Sequence, residues 1–236
     1  DGFRMDVVNL ISKRDGLPNG LEPGEPVGHE HFANGPRIRE YLGHIAESMD
    51  GYDVMTVGES VIADIETVAA YVDAEHGFFN MAISFEHVTL DHGIHGRYDP
   101  VPLDPAKLKA SLATWQRALQ DRGWNCLYLS NHDQPRQVSR FGDDGRYWHE
   151  SATMLATLLH TLRGTPFVMQ GEETGMTNVA FASVEDYDDV ECRNYYAEAL
   201  SGGEDPDVAL KRIHRASRDN ARTPMQWNAK KNAGFT

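Results

Sequence analysis

Short apolar runs alternate with longer segments of helical spacing along most of this chain. The runs are rich in β-branched residues and predict five strands, at Phe3 to Asn9, Asp53 to Gly58, Phe78 to Phe85, Asn125 to Ser130 and Thr165 to Gln170. The segments between them predict four helices, at Pro36 to Met49, Ile62 to Asp73, Pro105 to Asp121 and Trp148 to Leu162. Strands and helices in this order favour an α/β fold in which helices cover a parallel sheet.

The termini of these helices carry suitable residues. Pro36 and Pro105 stand at first helical positions, and Asp104 is placed to cap the helix that follows it. One more helix is predicted from Asp205 to Arg218, within a region from Asp186 to Thr236 that otherwise reads as polar and irregular.

Long loops, such as the one from Ser12 to Gly35, separate the predicted strands from the helices that follow them. In a (β/α) barrel the loops after the strands carry the catalytic groups. Five strands are too few to close an eight-stranded barrel, and an open sheet of five strands would leave two edges that need cover.

Composition and charge narrow the class of protein. The chain has 236 residues, of which 40% are hydrophobic and 25% charged, as in ordinary globular proteins. Its formal net charge of −14 disfavours nucleic acids and anionic membrane surfaces as partners. No apolar run is long enough to span a membrane. Cys126 and Cys192 lie far apart, which predicts free thiols in a reducing, cytoplasmic setting.

Three acidic residues follow predicted strands. They are Asp6 in FRMDVVN, Glu59 in TVGES and Asp133 in LSNHDQPR, and in a parallel barrel all three would gather at the carboxyl ends of the strands. A retaining glycoside hydrolase needs such a set, because one carboxylate attacks the anomeric carbon while a second protonates the leaving oxygen.

Arg4 lies two positions before Asp6, and in a strand it would point to the same face. A guanidinium at that place stabilises the ionised carboxylate that a nucleophile requires. A buried Arg4–Asp6 pair with no catalytic role is an equally good interpretation of the spacing, because structural ion pairs use the same residues.

Several longer motifs make the pattern specific. GFRMDVVN, TVGES, SNHDQPR and TPFVMQGEETGMTN resemble the shared sequence regions of the α-amylase superfamily, glycoside hydrolase family thirteen. DGFRMDVVNLISK, FEH at 85 to 87, SNHDQPRQVSRFGDDG and DNARTPMQW are similar to its oligo-1,6-glucosidase and α-glucosidase branch. The resemblance implies strands four to eight, with their helices, of a (β/α)8 barrel.

The resemblance also implies roles for individual residues. Asp6 corresponds to the nucleophile that forms the glucosyl-enzyme, and Glu59 to the general acid and base. Asp133 corresponds to the third carboxylate, which holds sugar hydroxyls. Arg4 and His132 correspond to the partners of the nucleophile and of the bound glucosyl unit.

Three further residues have roles that bear on specificity. Arg222 corresponds to the arginine that holds the non-reducing glucose and restricts this branch to chain ends. Glu191 falls where related enzymes contact the next sugar. Val7 corresponds to a residue type associated with α-1,6 rather than α-1,4 cleavage, although an ordinary strand valine is the alternative reading.

The resemblance implies a retaining, exo-acting α-glucosidase that acts on short oligosaccharides and needs no metal or other cofactor. Residues 1–236 would then be the C-terminal part of the catalytic domain, without its N-terminal half, its inserted loop domain or the C-terminal β-domain. A sucrose isomerase or glucosyltransferase on the same scaffold, a non-catalytic relative and an inactive fragment are the alternatives. The pattern leaves the oligomeric state open.

Two other groups of residues have simpler interpretations. His29 and His31, and His92 and His95, have metal-ligand spacing but lack supporting ligands, so a zinc site has little support. The tryptophans Trp115, Trp124 and Trp148 are expected to pack in the core.

Overall fold

The computed structural model describes residues 1–21 and 26–235, which form two compact units. The first unit comprises Asp1–His87, Leu108–Leu127 and Arg163–Thr165, and the second comprises Val88–Lys107, Tyr128–Leu162 and Pro166–Thr236. Each unit contains its own cluster of buried hydrophobic residues.

Within the described residues the chain forms seven strands and seven α-helices. In chain order they are β1 (Gly2–Met5), α1 (Ile38–Ser48), β2 (Met55–Glu59), α2 (Ile65–Tyr71), β3 (Met81–Ile83), β4 (His92–Gly93), β5 (Gly96–Pro100), α3 (Pro105–Ala118), β6 (Cys126–Leu127), α4 (Gln137–Phe141), α5 (Trp148–Thr161), β7 (Thr165–Pro166), α6 (Val190–Ser201) and α7 (Pro206–Ala216). Each predicted strand and helix is present but contains fewer residues than predicted, and β1 and β2 each extend one residue beyond one predicted bound.

The first unit is built on a parallel three-stranded sheet in the order β1, β2, β3. Helices α1, α2 and α3 contribute Leu42, Val68 and Trp115 to a core that also contains Phe79 of the chain leading into β3. Strand β6 pairs with β7 in a separate two-stranded sheet. The parallel sheet with helices that the sequence predicted is therefore confirmed for the first three strands.

Strand β1 is shorter and more exposed than predicted. It ends at Met5 rather than Asn9, and Val8–Leu10 form a short 3-10 helix. The turn brings Val8 and Asn9 into the interior, where they are 4% and 0% exposed, and a straight strand would have sent these two neighbours to opposite faces.

The second unit contains an antiparallel hairpin of β4 and β5 that the sequence pattern did not predict. The hydrophobic core of this unit contains Tyr98 of β5, Tyr187, Cys192 and residues of α7. The rings of Tyr98 and Tyr195 stack with centroids 4.4 Å apart.

The region from Asp186 onward is more regular than expected, because α6 lies within it. Asp189 caps this helix by accepting a hydrogen bond from the backbone N–H of Glu191 at 3.0 Å. Asp189 is only 4% exposed, although it lies in an acidic run of the sequence, 185–191. Only one position of this helix, Cys192, is buried, so its sequence has little hydrophobic periodicity to detect.

The tryptophan prediction is confirmed for Trp115 and wrong for the other two. Trp115 belongs to the first core, whereas Trp124 and Trp148 are 40% and 41% exposed. The indole N–H groups of these two donate to Thr165 Oγ1 at 2.9 Å and to the carbonyl of Gly175 at 2.7 Å. An indole needs a polar partner for its N–H, and a partly exposed position supplies one.

Both cysteines are buried and unbonded to each other. Burial raises the pKa of the Cys126 thiol to about 12. Among the described residues, no helix has the length and apolar character needed to cross a bilayer.

Gly58 of β2 provides a test of the packing. A Cβ at this position would lie 2.6 Å from the ring of Phe79, whereas one at Gly43 of α1 would meet only Phe78 at 3.9 Å. We expect Gly58→Ala to destabilise the full-length protein by about 1–3 kcal/mol, because the core must move to admit a methyl group. Gly43→Ala should instead stabilise it by up to about 1 kcal/mol through helix propensity. Thermal unfolding midpoints would check both, and equal midpoints for the two variants would contradict this packing.

Candidate active site

Two carboxylates lie at neighbouring strand ends in the first unit. The register of β1 and β2 pairs Met5 with Gly58, so the next residues, Asp6 and Glu59, come at the same level of the sheet. Glu59 is 6% exposed, whereas the side chain of Asp6 is 73% exposed. One carboxylate is thus enclosed and the other open to an incoming molecule.

Arg4 joins these two carboxylates. Its Nη1 forms an ion pair with Asp6 Oδ1, and its Nη2 lies 2.7 Å from Glu59 Oε2. A single guanidinium therefore fixes both side chains, and its fork of donors suits two acceptors better than an ammonium group would.

Val7 holds the turn after Asp6 in an unusual conformation. Its φ of +34° is left-handed, which is costly for a β-branched residue. In this conformation the Val7 N–H donates to Glu59 Oε2 at 2.9 Å. Arg4 and the Val7 N–H therefore bind the same oxygen of Glu59.

Asn9 links the two strand ends, and the sequence interpretation missed it. Its side-chain amide donates to the carbonyl of Val61 at 2.6 Å and accepts from the Val61 N–H at 3.1 Å. It also donates to Asn34 Oδ1 at 3.0 Å. The position of Asn9 within DVVN, three residues after the strand-end carboxylate Asp6, was the available signal.

A second group of predicted residues lies in the second unit. Arg222 Nη2 is 2.6 Å from Asp133 Oδ1, and its Nε donates to the backbone carbonyl of His132 at 2.9 Å. The imidazole Nε2 of His132 lies 3.4 Å from Asp133 Oδ2. The three side chains remain 36% to 55% exposed, so they present polar atoms to solvent.

Arg218 connects this group to Glu191, and the sequence interpretation missed it as well. It binds both carboxylate oxygens of Asp189, at 2.5 and 2.9 Å, and lies 3.6 Å from Asp133 and 3.8 Å from Glu191. Burial alone would raise the pKa of Asp189, but the bonds from Arg218 and from the Glu191 N–H lower it below its usual range. Asp189 is therefore a permanent anion that orients Arg218.

Glu172, in the QGEETG turn after β7, is a half-buried residue of the second unit, and its Oε2 atom is enclosed. Ser130 Oγ donates to Glu172 Oε1, while Oε2 is buried without a partner among the described residues. Burial raises the pKa of Glu172 to about 7, against the opposing effects of Ser130 and Arg136. This side chain was not among the predicted functional residues, although it follows a strand as Glu59 does.

The structure places the predicted residues in two groups, each within its own unit. Arg4, Asp6, Val7 and Glu59 are in contact in the first unit, and His132, Asp133 and Arg222 are in contact in the second. Glu191 is tied to the second group through Arg218. Within residues 1–21 and 26–235, no cluster of three or more His, Cys, Asp or Glu side chains could hold a metal ion.

Comparison with known proteins agrees with the motifs. All 236 residues match the family described as "Alpha-amylase: Alpha amylase, catalytic domain". An oligo-1,6-glucosidase of Halalkalibacterium halodurans is 53% identical over 240 residues, covering 100% of this chain and 43% of the relative. The chain thus spans less than half the length of this relative.

Solved structures show the same likeness. A trehalose-6-phosphate hydrolase from Bacillus licheniformis superposes with a TM-score of 0.90 at 42% identity, covering 100% of this chain and 42% of that one. Isomaltulose synthase from Klebsiella sp. LX3 superposes with a TM-score of 0.91 at 35% identity, over 100% of this chain and 43% of that one. The predicted resemblance to the α-amylase superfamily and its oligo-1,6-glucosidase branch is confirmed.

Glu172 makes stability depend on pH in a defined direction. Its pKa is about 7 in the folded protein and lower when the chain unfolds, so the buried carboxylate costs folding free energy above pH 7. This cost shrinks as the pH falls and vanishes below the ordinary range of a carboxyl group. We expect Glu172→Gln to raise the free energy of unfolding of the full-length protein by up to about 3 kcal/mol at pH 8 and to have little effect at pH 4.5, as measured by denaturant unfolding. A difference between the two proteins that is the same at both pH values would contradict this.

Proposed function

The chain belongs to the alpha-amylase family, and we propose from that premise that the full-length protein is a retaining, exo-acting α-glucosidase. It would release terminal α-1,6-linked glucose from short oligosaccharides. The observation that carries this proposal is the Arg4 guanidinium, which contacts both Asp6 and Glu59 at adjoining strand ends.

The two carboxylates have different roles in this proposal. Asp6 attacks the anomeric carbon with an oxygen lone pair as the glycosidic bond breaks. Glu59 gives its proton to the departing sugar oxygen, so that this oxygen leaves as a hydroxyl group. Glu59 then takes a proton from water, which attacks the same carbon and frees Asp6. The anomeric configuration is retained after two inversions.

The second group is proposed to bind substrate. Asp133 and His132 would accept and donate hydrogen bonds to hydroxyls of the terminal glucose, and Arg222 would hold that glucose at the chain end. Arg222 already uses Nη2 on Asp133, which fixes its plane before substrate arrives. Glu191, 43% exposed, would contact the next sugar.

The place of the chain in the barrel is also part of the proposal. Strands β1, β2, β3, β6 and β7 would be the fourth to eighth strands of a (β/α)8 barrel. The remaining strands, the inserted loop domain and the C-terminal β-domain would lie outside residues 1–236, so we expect this chain alone to hydrolyse no α-glucoside. The two free thiols favour a cytoplasmic location.

A sucrose isomerase or glucosyltransferase would use the same covalent intermediate and is the alternative. It is less favoured, because the oligo-1,6-glucosidase is 53% identical to this chain and the isomaltulose synthase 35%. Incubation with sucrose separates the two, since an isomerase accumulates an isomeric disaccharide and a hydrolase releases free glucose and fructose.

Linkage preference tests the specificity part of the proposal. We expect the full-length protein to cleave isomaltose with a kcat/KM at least about tenfold above that for maltose, a difference within the range that pocket shape provides. Trehalose 6-phosphate should be included, because a hydrolase of that sugar phosphate is a close structural relative. A wide preference for maltose or for trehalose 6-phosphate would sink the linkage assignment.

Glu59→Gln tests the acid and base. It keeps the side-chain volume but cannot donate a catalytic proton, so kcat on isomaltose should fall by roughly 10²–10⁴-fold. An aryl glucoside with an acidic leaving group needs no protonation, so its first step should be nearly spared, and glucosyl-enzyme should accumulate. Asp6→Asn should lose activity on both substrates.

The matched control is Glu66→Gln, which makes the same chemical change at an exposed ion pair with Arg122. Its activity should equal that of the unchanged protein. Normal isomaltose turnover by Glu59→Gln would rule out the assignment of the acid.

A further inference from the structure

Arg136 is a fully buried arginine in the second unit, three residues after Asp133. It is 1% exposed, and it lies directly before helix α4. A buried guanidinium loses its hydration, which is costly unless its N–H groups all find acceptors. The hydrogen-bond acceptors of Arg136 therefore indicate its role in the structure.

Most of these acceptors belong to one short segment. Nε donates to the carbonyl of Asn220 at 3.0 Å, and Nη2 reaches the carbonyl of Ala221 at 3.3 Å and Thr223 Oγ1 at 3.5 Å. Nη1 donates to the carbonyl of Gln170, at the end of the run that follows β7. The side chain of Arg136 thus binds two backbone carbonyls before Arg222 and the Thr223 hydroxyl after it.

The surroundings of Arg136 are shaped to admit it. A Cβ at Gly171 would lie 2.9 Å from Nη1, and the φ of Gly171 is +96°, so a larger residue would collide with the guanidinium and be strained. The backbone N–H of Arg136 itself donates to Asn178 Oδ1 at 2.9 Å. Both the backbone N–H and the guanidinium group of Arg136 are therefore fixed by hydrogen bonds.

Residues 220–223, which Arg136 binds, include Arg222 and place it against Asp133. Arg222 donates to Asp133 Oδ1 and to the carbonyl of His132, while its own N–H and that of Ala221 close short turns to Asp219 and Arg218. Asp133 and Arg136 belong to the same connection between Leu127 and α4, so one rigid stretch carries the carboxylate and fixes its partner.

We infer that Arg136 is a positioning residue that sets Arg222 against Asp133 and thereby controls affinity for the terminal glucose. It touches no substrate. This inference rests on the proposed function, because it concerns the residue assigned there to hold the glucose.

Arg136→Lys in the full-length protein tests the inference, because it keeps the charge but cannot reach all four acceptors. We expect KM for isomaltose to rise about tenfold while kcat stays within about threefold, the pattern for a lost binding contact. In an Arg222→Ala background the same change should alter kcat/KM by less than about twofold, since there is no Arg222 left to position. The loss of thermal stability, in contrast, should be present in both backgrounds.

Arg140→Lys is the matched control. Arg140 is also buried, at 6% exposed, but it donates to Asp91, Val88 and Gln134 rather than to the segment around Arg222. Its effect on kcat/KM should be the same with and without Arg222. An equal, additive loss from Arg136→Lys in the two backgrounds would overturn the inference.

Amide hydrogen exchange gives a readout that needs no activity. Arg136→Lys should speed exchange at Ala221 and Arg222 by about tenfold or more, and Arg140→Lys should leave these amides unchanged. If the unmodified full-length protein hydrolyses no glucoside, the proposed function fails while this exchange experiment still decides whether Arg136 holds the segment. Unchanged exchange in Arg136→Lys would overturn the inference by itself.

Discussion

The parallel register between β1 and β2 is the constraint on which the first group of functional residues depends. It sets Met5 opposite Gly58, so that Asp6 and Glu59 leave the sheet side by side, and Arg4, opposite Val57, can reach both. A shift of one residue would turn these side chains to the other face. Because Gly58 has no side chain, the ring of Phe79 can approach β2 closely. Strand β2 therefore carries both a core contact, at Gly58, and a functional carboxylate, Glu59.

The second unit is organised by buried cations. Arg136 and Arg140 are nearly inaccessible, and Arg218 is bound by a buried aspartate. Arg140 pairs with Asp91, whose pKa falls because the bond and charge of Arg140 outweigh the effect of burial. Such groups contribute little net stability compared with apolar packing, but removing one partner leaves an uncompensated charge. They therefore fix geometry, which a binding site for a polar sugar requires.

The sequence predicted β1, β2, β3, β6 and β7, five of the seven described α-helices and the strand-end carboxylates, because each leaves a local pattern. It placed the end of β1 four residues too late, since the turn at Val7 depends on an acceptor 52 positions away, Glu59. It missed α6, in which only Cys192 is buried, and it missed Asn9, Arg218 and Glu172. Their partners are distant in sequence, so no spacing rule points to them. Trp124 and Trp148 were misplaced because hydrophobicity alone does not report where an indole N–H finds its acceptor.

By itself the amino-acid sequence determined the family of this chain, the α/β order of its elements and the residue types at the strand ends. Periodicity and short motifs carry that information, since they arise from contacts between near neighbours. The tertiary structure decided which groups share a hydrogen bond. In the folded chain Arg4 contacts two carboxylates, and Val7 adopts a left-handed conformation. The Oε2 atom of Glu172 is enclosed, and Arg136 binds the residues next to Arg222. These features depend on atoms that are brought together only when the strands pack, because burial and directed hydrogen bonds have no counterpart in a linear pattern.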